Sequence, residues 1–183
     1  MTTEKTPLSG LIVIHPQVFG DDRGFFMETW SQPKFQGLGI DVEFMQDNHS
    51  RSCKGTLRGL HFQSSPGQAK LVRCVRGAVW DVAVDIRPDS PTFGKWHAIE
   101  LTEENHAMFF VPVGFAHGFC VLSDSADFVY RVSSIYNPKT ECGIAWDDPE
   151  IGIPWPISSP LLSDRDKNNQ SLQDWLKSTG ERQ

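Results

Sequence analysis

Three basic or titratable side chains that could do chemistry lie close together in the sequence: Arg58, His61 and Lys70. An imidazole exchanges protons near neutral pH, an arginine binds a phosphate through two parallel hydrogen bonds, and a lysine supplies a point charge. These residue types favour a cleft that binds a phosphate-bearing substrate and moves a proton. Three ordinary surface residues, or a buried His61 bonded to a backbone carbonyl, are the simpler interpretations.

The spacing around His61 argues against a metal site. A His-x-His pair on a strand would place two imidazoles on one face and begin a zinc or iron site, but Gly59 and Gln63 occupy those positions. The second histidine of interest, His117, follows a Pro-x-Gly turn at Pro112. Without a His-x-His partner strand, His117 is interpreted as a residue that contacts substrate. We therefore predict no metal.

A proton donor and a partner for the imidazole are found later in the sequence. The phenol of Tyr130 is protonated at neutral pH and could donate a proton, although a structural role is the commoner one for a lone tyrosine. A base and an acid on opposite sides of a pocket would invert a stereocentre. Asp164 and Asp166 each have the chemistry to bond the imidazole of His61 and raise its basicity, and the residue types alone do not choose between them.

These residues need β-strands to position them. The odd spacing of Arg58 and His61 puts their side chains on opposite faces of a regular strand, so a shared site requires a bulge near Gly59. Short β-type runs separated by turn residues predict eight strands and an all-β jelly-roll sandwich or barrel. The predicted strands are Leu11–His15, Gly24–Trp30, Lys70–Val75, Ala78–Asp85, Lys95–Leu101, Ala107–Val111, Gly118–Leu122 and Phe128–Ser133.

Helical patterns are few and peripheral. Ser31–Gly37 predicts a short turn of helix, and Leu172, Trp175 and Leu176 have the spacing of an amphipathic helix. The proline-rich stretch Asp147–Pro160 is unsuited to a central sheet. We predict one domain over residues 1–183, in which residues from about 147 to 183 form a wrapping loop and a short helix.

Composition limits the class of protein. The 183 residues suffice for one domain with a sizeable core, and the net charge of -6 opposes binding to nucleic acid. The four cysteines are widely spaced and predict reduced thiols. The N-terminus lacks the apolar stretch of a secretory signal, and no apolar run is long enough to span a membrane, so a cytoplasmic protein is expected.

Several strings in one order, over roughly residues 10 to 170, closely resemble the dTDP-4-dehydrorhamnose 3,5-epimerase family. They are Gly20–Glu28, Gln46–Ser50, Leu57–Gln63, Lys70–Arg73, Asp81–Asp85, Pro112–Phe119, Tyr130 and Trp146–Pro149. The resemblance implies a cupin-type jelly roll, a homodimer with exchanged strands, and neither a metal nor an organic cofactor.

The resemblance also implies roles for individual residues. His61 would be the general base, Asp166 its partner, Tyr130 the acid, and Lys70 the group that stabilises an enolate. Arg23 and Glu28 resemble nucleotide-binding positions reached across the dimer interface. Arg165 occupies a position where the family commonly has lysine. The remaining substrate-binding candidates are Gln46, Asp47, Asn48, Arg58, His117, Glu141 and Tyr136, with Phe19 and Phe26 as further candidates for stacking on thymine.

The implied reaction is epimerisation at C3 and C5 of dTDP-4-dehydro-6-deoxy-D-glucose, giving dTDP-4-dehydro-L-rhamnose for L-rhamnose synthesis. The nearest alternative is an epimerase that acts at one carbon, or on another nucleotide-linked 4-keto-deoxysugar. A metal-dependent cupin oxygenase or isomerase and a non-catalytic sugar-binding module are alternatives from other classes.

Overall fold

A computed structural model of the chain describes residues 1–180, in which strands dominate and helices are short. The predicted wrapping segment therefore extends three residues beyond the described part. The strands are β1 (Thr2–Lys5), β2 (Ile12–His15), β3 (Val18–Asp21), β4 (Gly24–Met27), β5 (Gln46–Cys53), β6 (Leu57–Gln63), β7 (Lys70–Arg76), β8 (Ala78–Asp85), β9 (Trp96–Thr102), β10 (Met108–Val111), β11 (Phe115–Val121), β12 (Ser125–Val132) and β13 (Glu141–Gly143). The helices are α1 (Gln32–Gly37), α2 (Asp164–Lys167) and α3 (Leu172–Gly180).

Two antiparallel sheets form the sandwich. One has the strand order β1-β2-β10-β7-β12-β5, and the other has the order β13-β6-β11-β8-β9. Strands that follow one another along the chain, such as β5 and β6 or β7 and β8, lie in different sheets. This exchange between sheets is the connectivity of a jelly roll, and the predicted fold class is confirmed. The hairpin of β3 and β4 pairs with no other strand among residues 1–180.

The main core lies between the sheets, where alternate side chains of facing strands meet. Phe109, Phe115 and Phe128 are almost completely buried there, and the rings of Phe119 and Phe128 stack with centroids 4.2 Å apart. Because β11 continues the same face from Phe115 through His117 to Phe119, the core also sets the position of His117. One end of this interior remains open as a cleft.

The C-terminal segment packs on the outer face of the five-stranded sheet. Trp155 contacts Trp80 in an edge-on ring contact and donates from its indole nitrogen to the carbonyl of Trp146 at 2.7 Å. Asp148 accepts a hydrogen bond from the backbone of Leu172, where α3 begins. These contacts hold the segment that carries α2 against the end of the sandwich.

Five of the thirteen strands among residues 1–180 are absent from the eight predicted strands: β1, β3, β5, β6 and β13. The polar strand β5 is absent from the eight predicted strands because its sequence, Gln46–Cys53, has no apolar alternation. Its side chains face the cleft on one side and the outer surface on the other, so neither face needs apolar residues. Predicted boundaries also shifted: the strand expected over Gly24–Trp30 ends at Met27, and the one expected from Gly118 begins at Phe115.

The sequence predicted reduced cysteines and no membrane-spanning segment, and the structure bears on both. All four cysteines are thiols, and those of Cys74 and Cys120 are buried. In the part of the chain that the structure describes, no helix has the length and apolar character needed to cross a membrane.

Candidate active site

A cavity of about 410 Å³ opens between the two sheets. Strands β5, β7 and β12 of the six-stranded sheet form one wall, and strands β6, β11 and β13 of the other sheet form the opposite wall, with α2 at the rim. Most of the predicted site residues lie here. They are Gln46, Asn48, Arg58, His61, Lys70, His117, Tyr130, Tyr136, Glu141 and Arg165.

The imidazole of His61 is paired with a buried carboxylate. Its Nε2 lies 2.5 Å from Oδ1 of Asp166, whose side chain is only 4 % exposed. Ser163 caps α2 by accepting a hydrogen bond from the backbone of Asp166. Asp164 is exposed and pairs with Lys167 instead, so the geometry selects Asp166 as the partner of His61.

The charge of Asp166 is maintained despite burial. Burial alone raises the pKa of this carboxyl, but the hydrogen bond and positive charge of His61 and the bond from Ser163 act in the opposite direction, and the net pKa lies below its ordinary value. An ionised carboxylate at this position orients the imidazole and stabilises its protonated form. The pair has the arrangement of an imidazole general base and the carboxylate that supports it.

The bulge expected near Gly59 is present. His61 pairs with His117 and Arg58 pairs with Phe119, so three steps along β6 match two steps along β11. The extra residue brings Arg58 and His61 to the same cavity. Gly59 has a φ of +141°, and a Cβ there would lie 2.6 Å from the Cα of Gly118, so only glycine fits.

Lys70 begins β7 and points into the cavity, where it is 8 % exposed. Its Nζ donates to the carbonyl oxygen of His61 at 3.2 Å. Burial lowers the pKa of the ammonium to about 8, and the negative charges of Asp81 and Glu141 limit this decrease. The cation is therefore available next to His61 at neutral pH.

Tyr130 lines the cavity from the six-stranded sheet, whereas His61 lines it from the five-stranded sheet. Burial raises the pKa of the phenol, so Tyr130 is protonated at neutral pH. The two walls thus present a base and a proton donor to the same space. Arg58 is held beside them by a hydrogen bond of 3.0 Å from its Nε to Oγ of Ser52.

A polar network surrounds the rim of the cavity. Arg165 on α2 forms an ion pair of 2.6 Å with Glu141, and the hydrogen bond of Tyr136 with Glu141 raises the pKa of that tyrosine. The backbone N–H of Tyr136 donates to the side chain of Gln46, which in turn donates to Asn48 at 2.8 Å. The network ties α2 and β13 to β5 across the opening.

Five predicted site residues lie outside this cavity within a single chain. Arg23 pairs with Asp21 in the β3–β4 hairpin, and Glu28 pairs with Lys34 at 2.8 Å. Asp47 points to the opposite face of β5 from its neighbours and lines a separate outer cavity of about 310 Å³. The aromatic rings of Phe19 and Phe26 are cross-strand neighbours in the hairpin and are largely exposed.

Some cavity residues were missed in the sequence. Ser50, Gln68, Phe119 and Phe128 also line the cavity. Asp81, on the adjacent strand β8, is fully buried and lies 2.8 Å from Nε2 of His117. An acid inside the apolar run of β8 was the signal that could have identified it. Among residues 1–180, no group of three or more histidine, cysteine, aspartate or glutamate side chains is placed to hold a metal ion.

The chain is similar in sequence to known epimerases. The family model described as dTDP-4-dehydrorhamnose 3,5-epimerase matches residues 5–174. The chain is 54% identical over 176 residues to the dTDP-4-dehydrorhamnose 3,5-epimerase of Shigella flexneri, which covers 95% of this chain and 97% of that protein. It is 42% identical over 163 residues to a dTDP-4-dehydrorhamnose 3-epimerase of Streptomyces niveus, covering 88% of this chain and 79% of that protein.

A solved structure is similar over nearly the whole length. The crystal structure of a dTDP-6-deoxy-D-glucose-3,5-epimerase from Legionella pneumophila, in complex with dTDP-4-keto-L-rhamnose, superposes with a TM-score of 0.92 at 46% identity. The match covers 94% of this chain and 93% of that one. With its jelly-roll fold and this extent of similarity, the chain belongs to the dTDP-4-dehydrorhamnose 3,5-epimerase family.

Proposed function

We propose that this protein is an isomerase that epimerises dTDP-4-dehydro-6-deoxy-D-glucose at C3 and C5 to give dTDP-4-dehydro-L-rhamnose, in dTDP-L-rhamnose biosynthesis. One observation carries the proposal. His61, paired with Asp166, and the protonated Tyr130 line one cavity from opposite sheets, which suits removal of a proton from one face of a sugar and delivery to the other.

The reaction uses the acidity of the hydrogens next to the C4 ketone. His61, supported by Asp166, removes the proton, and the electron pair moves onto the ketone oxygen as an enolate. The ammonium of Lys70 offsets the developing negative charge. Tyr130 delivers a proton to C5 from the other face, and a second cycle inverts the remaining carbon. Each step is a proton transfer between the substrate and side chains of the chain, so the mechanism is independent of a cofactor.

Substrate binding follows from the remaining polar groups. Arg58 and Arg165 supply positive charge for the diphosphate in a chain whose net charge is -6, and Gln46, Asn48 and His117 offer hydrogen bonds. Glu141 holds Arg165 at the rim. The half-exposed ring of Tyr136 is the aromatic group that we assign to the thymine, since it lies at the opening of the cavity.

Deuterium exchange from solvent tests the assignment of the base. Wild-type enzyme should incorporate deuterium at C3 and C5 of the substrate, and His61→Ala should abolish incorporation at both. His15→Ala is a matched control, because His15 is an exposed histidine on β2 outside the cavity. Exchange that persists in His61→Ala would remove His61 from the role of base.

The two tyrosines of the chain can be compared directly. In Tyr130→Phe, we expect deuterium exchange to continue while inversion at C5 is lost, because abstraction is intact and the acid is missing. Tyr136→Phe should retain inversion, since the ring that stacks on the base is unchanged. Equal loss of exchange and inversion in Tyr130→Phe would count against Tyr130 as the acid.

A single-carbon epimerase is the second candidate, since one similar protein is named a 3-epimerase. The two reactions share proton abstraction and differ in whether C5 is inverted. The NMR coupling constants of the isolated product decide between them. Product inverted at C3 alone would favour the second candidate.

Two alternatives from other classes have equally direct tests. A non-catalytic sugar-binding module would show no turnover of the dTDP-4-keto sugar. Metal analysis that found stoichiometric iron, manganese or zinc required for turnover would favour a metal-dependent cupin enzyme.

We also propose a cytoplasmic homodimer in which the β3–β4 hairpin reaches the cavity of the partner. The hairpin forms no strand pairing with any other strand of residues 1–180, and it exposes Phe19, Phe25 and Phe26 together with Arg23. Mixing inactive His61→Ala with an inactive Arg23→Ala variant should then restore part of the activity, because each mixed dimer has one intact site. Absence of recovery in mixtures shown to exchange subunits would contradict this arrangement. Neither nucleic acid nor membrane is expected as a partner.

A further inference from the structure

Asp81 is a buried carboxylate to which the mechanism above gives no role. It lies in the middle of β8 between apolar neighbours and has an exposed fraction of 0%. Burying a carboxylate costs free energy unless close partners compensate for lost hydration. Its hydrogen-bond partner is Nε2 of His117, which lies 2.8 Å from one carboxylate oxygen and 3.0 Å from the other.

This contact determines what His117 can offer to the cavity. An ionised carboxylate only accepts hydrogen bonds, so Nε2 of His117 must carry the hydrogen. In a neutral imidazole the other nitrogen, Nδ1, is then an acceptor. Since His117 lines the cavity while Nε2 is occupied by Asp81, Nδ1 is the nitrogen that remains for a ligand.

The charges around His117 favour the neutral imidazole. Burial lowers the pKa of His117, Asp81 opposes that decrease, and the nearby positive charge of Lys70 adds to it. Burial raises the pKa of Asp81 above its ordinary value, and the hydrogen bond and charge of His117 and the charge of Lys70 lessen this rise without reversing it. A protonated Lys70 and a protonated His117 side by side would repel each other, so one cation is favoured over two.

We infer that Asp81 is a positioning residue that fixes His117 as the neutral Nε2–H tautomer, so that His117 presents a hydrogen-bond acceptor to the sugar. The acceptor would bind a hydroxyl of the substrate and leave Lys70 as the cation for the enolate. The tautomer does not depend on the proposed function, whereas the effect on turnover rests on it.

Histidine ¹⁵N NMR of the unliganded wild-type enzyme tests the tautomer without any assay of activity. We expect Nε2 of His117 to be protonated and Nδ1 to be unprotonated at about pH 6 to about pH 8. His117→Gln identifies the signal by its disappearance. A protonated Nδ1 in the wild type, in either the other tautomer or the imidazolium, would overturn the inference.

Turnover tests the positioning role. In Asp81→Asn the neutral amide is a weaker acceptor, so we expect kcat/KM to fall by about 10-fold to 100-fold and the Nε2–H resonance to move towards that of a weaker hydrogen bond. Asp85→Asn is the matched control: Asp85 is also on β8 and fully buried, but it bonds Arg87, Ser90 and Thr92.

The outcomes distinguish a positioning role of Asp81 from a purely structural role. A purely structural Asp81 would lower thermal stability, as Asp85→Asn should, while kcat/KM per folded enzyme stayed at the wild-type value, and this result would overturn the inference. If Asp81→Asn does not fold, the wild-type NMR measurement still decides the tautomer. If the wild type does not turn over the dTDP-4-keto sugar, the proposed function fails while the tautomer can still be correct.

Discussion

The chemistry of the cavity depends on how a few buried charges are paired. Asp166 is ionised beside His61, and Lys70 is a cation held against the carbonyl of His61. Both groups are nearly inaccessible to solvent, where electrostatic interactions are stronger than in water. Small changes of charge at these positions should therefore have a large effect on the rate of proton transfer.

Replacement of Asp166 tests the support that it gives to His61. Asp166→Asn keeps the shape but removes the charge that stabilises the imidazolium, so we expect kcat to fall by about 10²-fold to 10⁴-fold. Steady-state kinetics and deuterium exchange should fall together, since both need the base. Asp164→Asn is the control on the same helix, because Asp164 is exposed and pairs with Lys167. Similar losses in the two variants would contradict a specific role for Asp166.

The pH dependence of kcat/KM should report Lys70. Its pKa in the unliganded protein is lowered to about 8 by burial, and the protonated form is the one that stabilises an enolate, so kcat/KM should decrease as pH rises through about 8. The charged groups that act on its pKa come from three elements: Asp81 on β8 and Glu141 on β13 raise it, and Arg165 on α2 lowers it.

Lys70→Arg supplies the control for that profile. Arginine stays charged at all accessible pH values, so the decrease above pH 8 should disappear even if the maximal rate is lower. An unchanged alkaline limb in this variant would assign the titration to another group.

At the scale of elements, the bulge in β6 determines whether Arg58 and His61 share a site. Gly59→Ala would place a Cβ against Gly118 at a positive φ, so we expect a loss of stability of about 1 kcal/mol or more and a fall in kcat as β6 shifts. Urea denaturation and kinetics measure the two effects. Gly39→Ala is the control, because Gly39 also has a positive φ but nothing lies within 4 Å of its added Cβ. A drop in kcat in both variants would argue against a local effect of the bulge.

At the scale of the whole molecule, the sandwich core and the cavity share one interior. Phe109 is fully buried in the core cluster, and it is absent from the cavity lining. Phe109→Ala should lower the free energy of unfolding by about 3 to 5 kcal/mol through the lost contacts and the void left behind. Urea denaturation measures the loss, and kcat of the folded fraction should be retained at low temperature. A large loss of kcat without loss of stability would contradict the assignment of Phe109 to the core alone.

Much of the fold was accessible from sequence because the core strands alternate or are wholly apolar. Strand β8 was predicted with its observed boundaries, Ala78–Asp85, and β7 to within one residue. Strand β5 was not predicted, because a strand that lines a polar cavity lacks the apolar period on which the prediction depends. The need for a bulge at Gly59 was predictable, because two side chains of odd spacing had to share one face.

The sequence by itself determined the residue types of the chemistry, the all-β class and, through its ordered strings, the family. The residue types alone did not choose between Asp164 and Asp166, although the resemblance to the family implied Asp166. They also did not identify Asp81, since such contacts depend on which side chains meet across distant elements. Only the tertiary structure decided those pairings, because the sandwich brings α2 to β6 and β8 beside β11. Burial also shifts the pKa values of the site, as it does for Lys70, and burial is a property of the packed molecule.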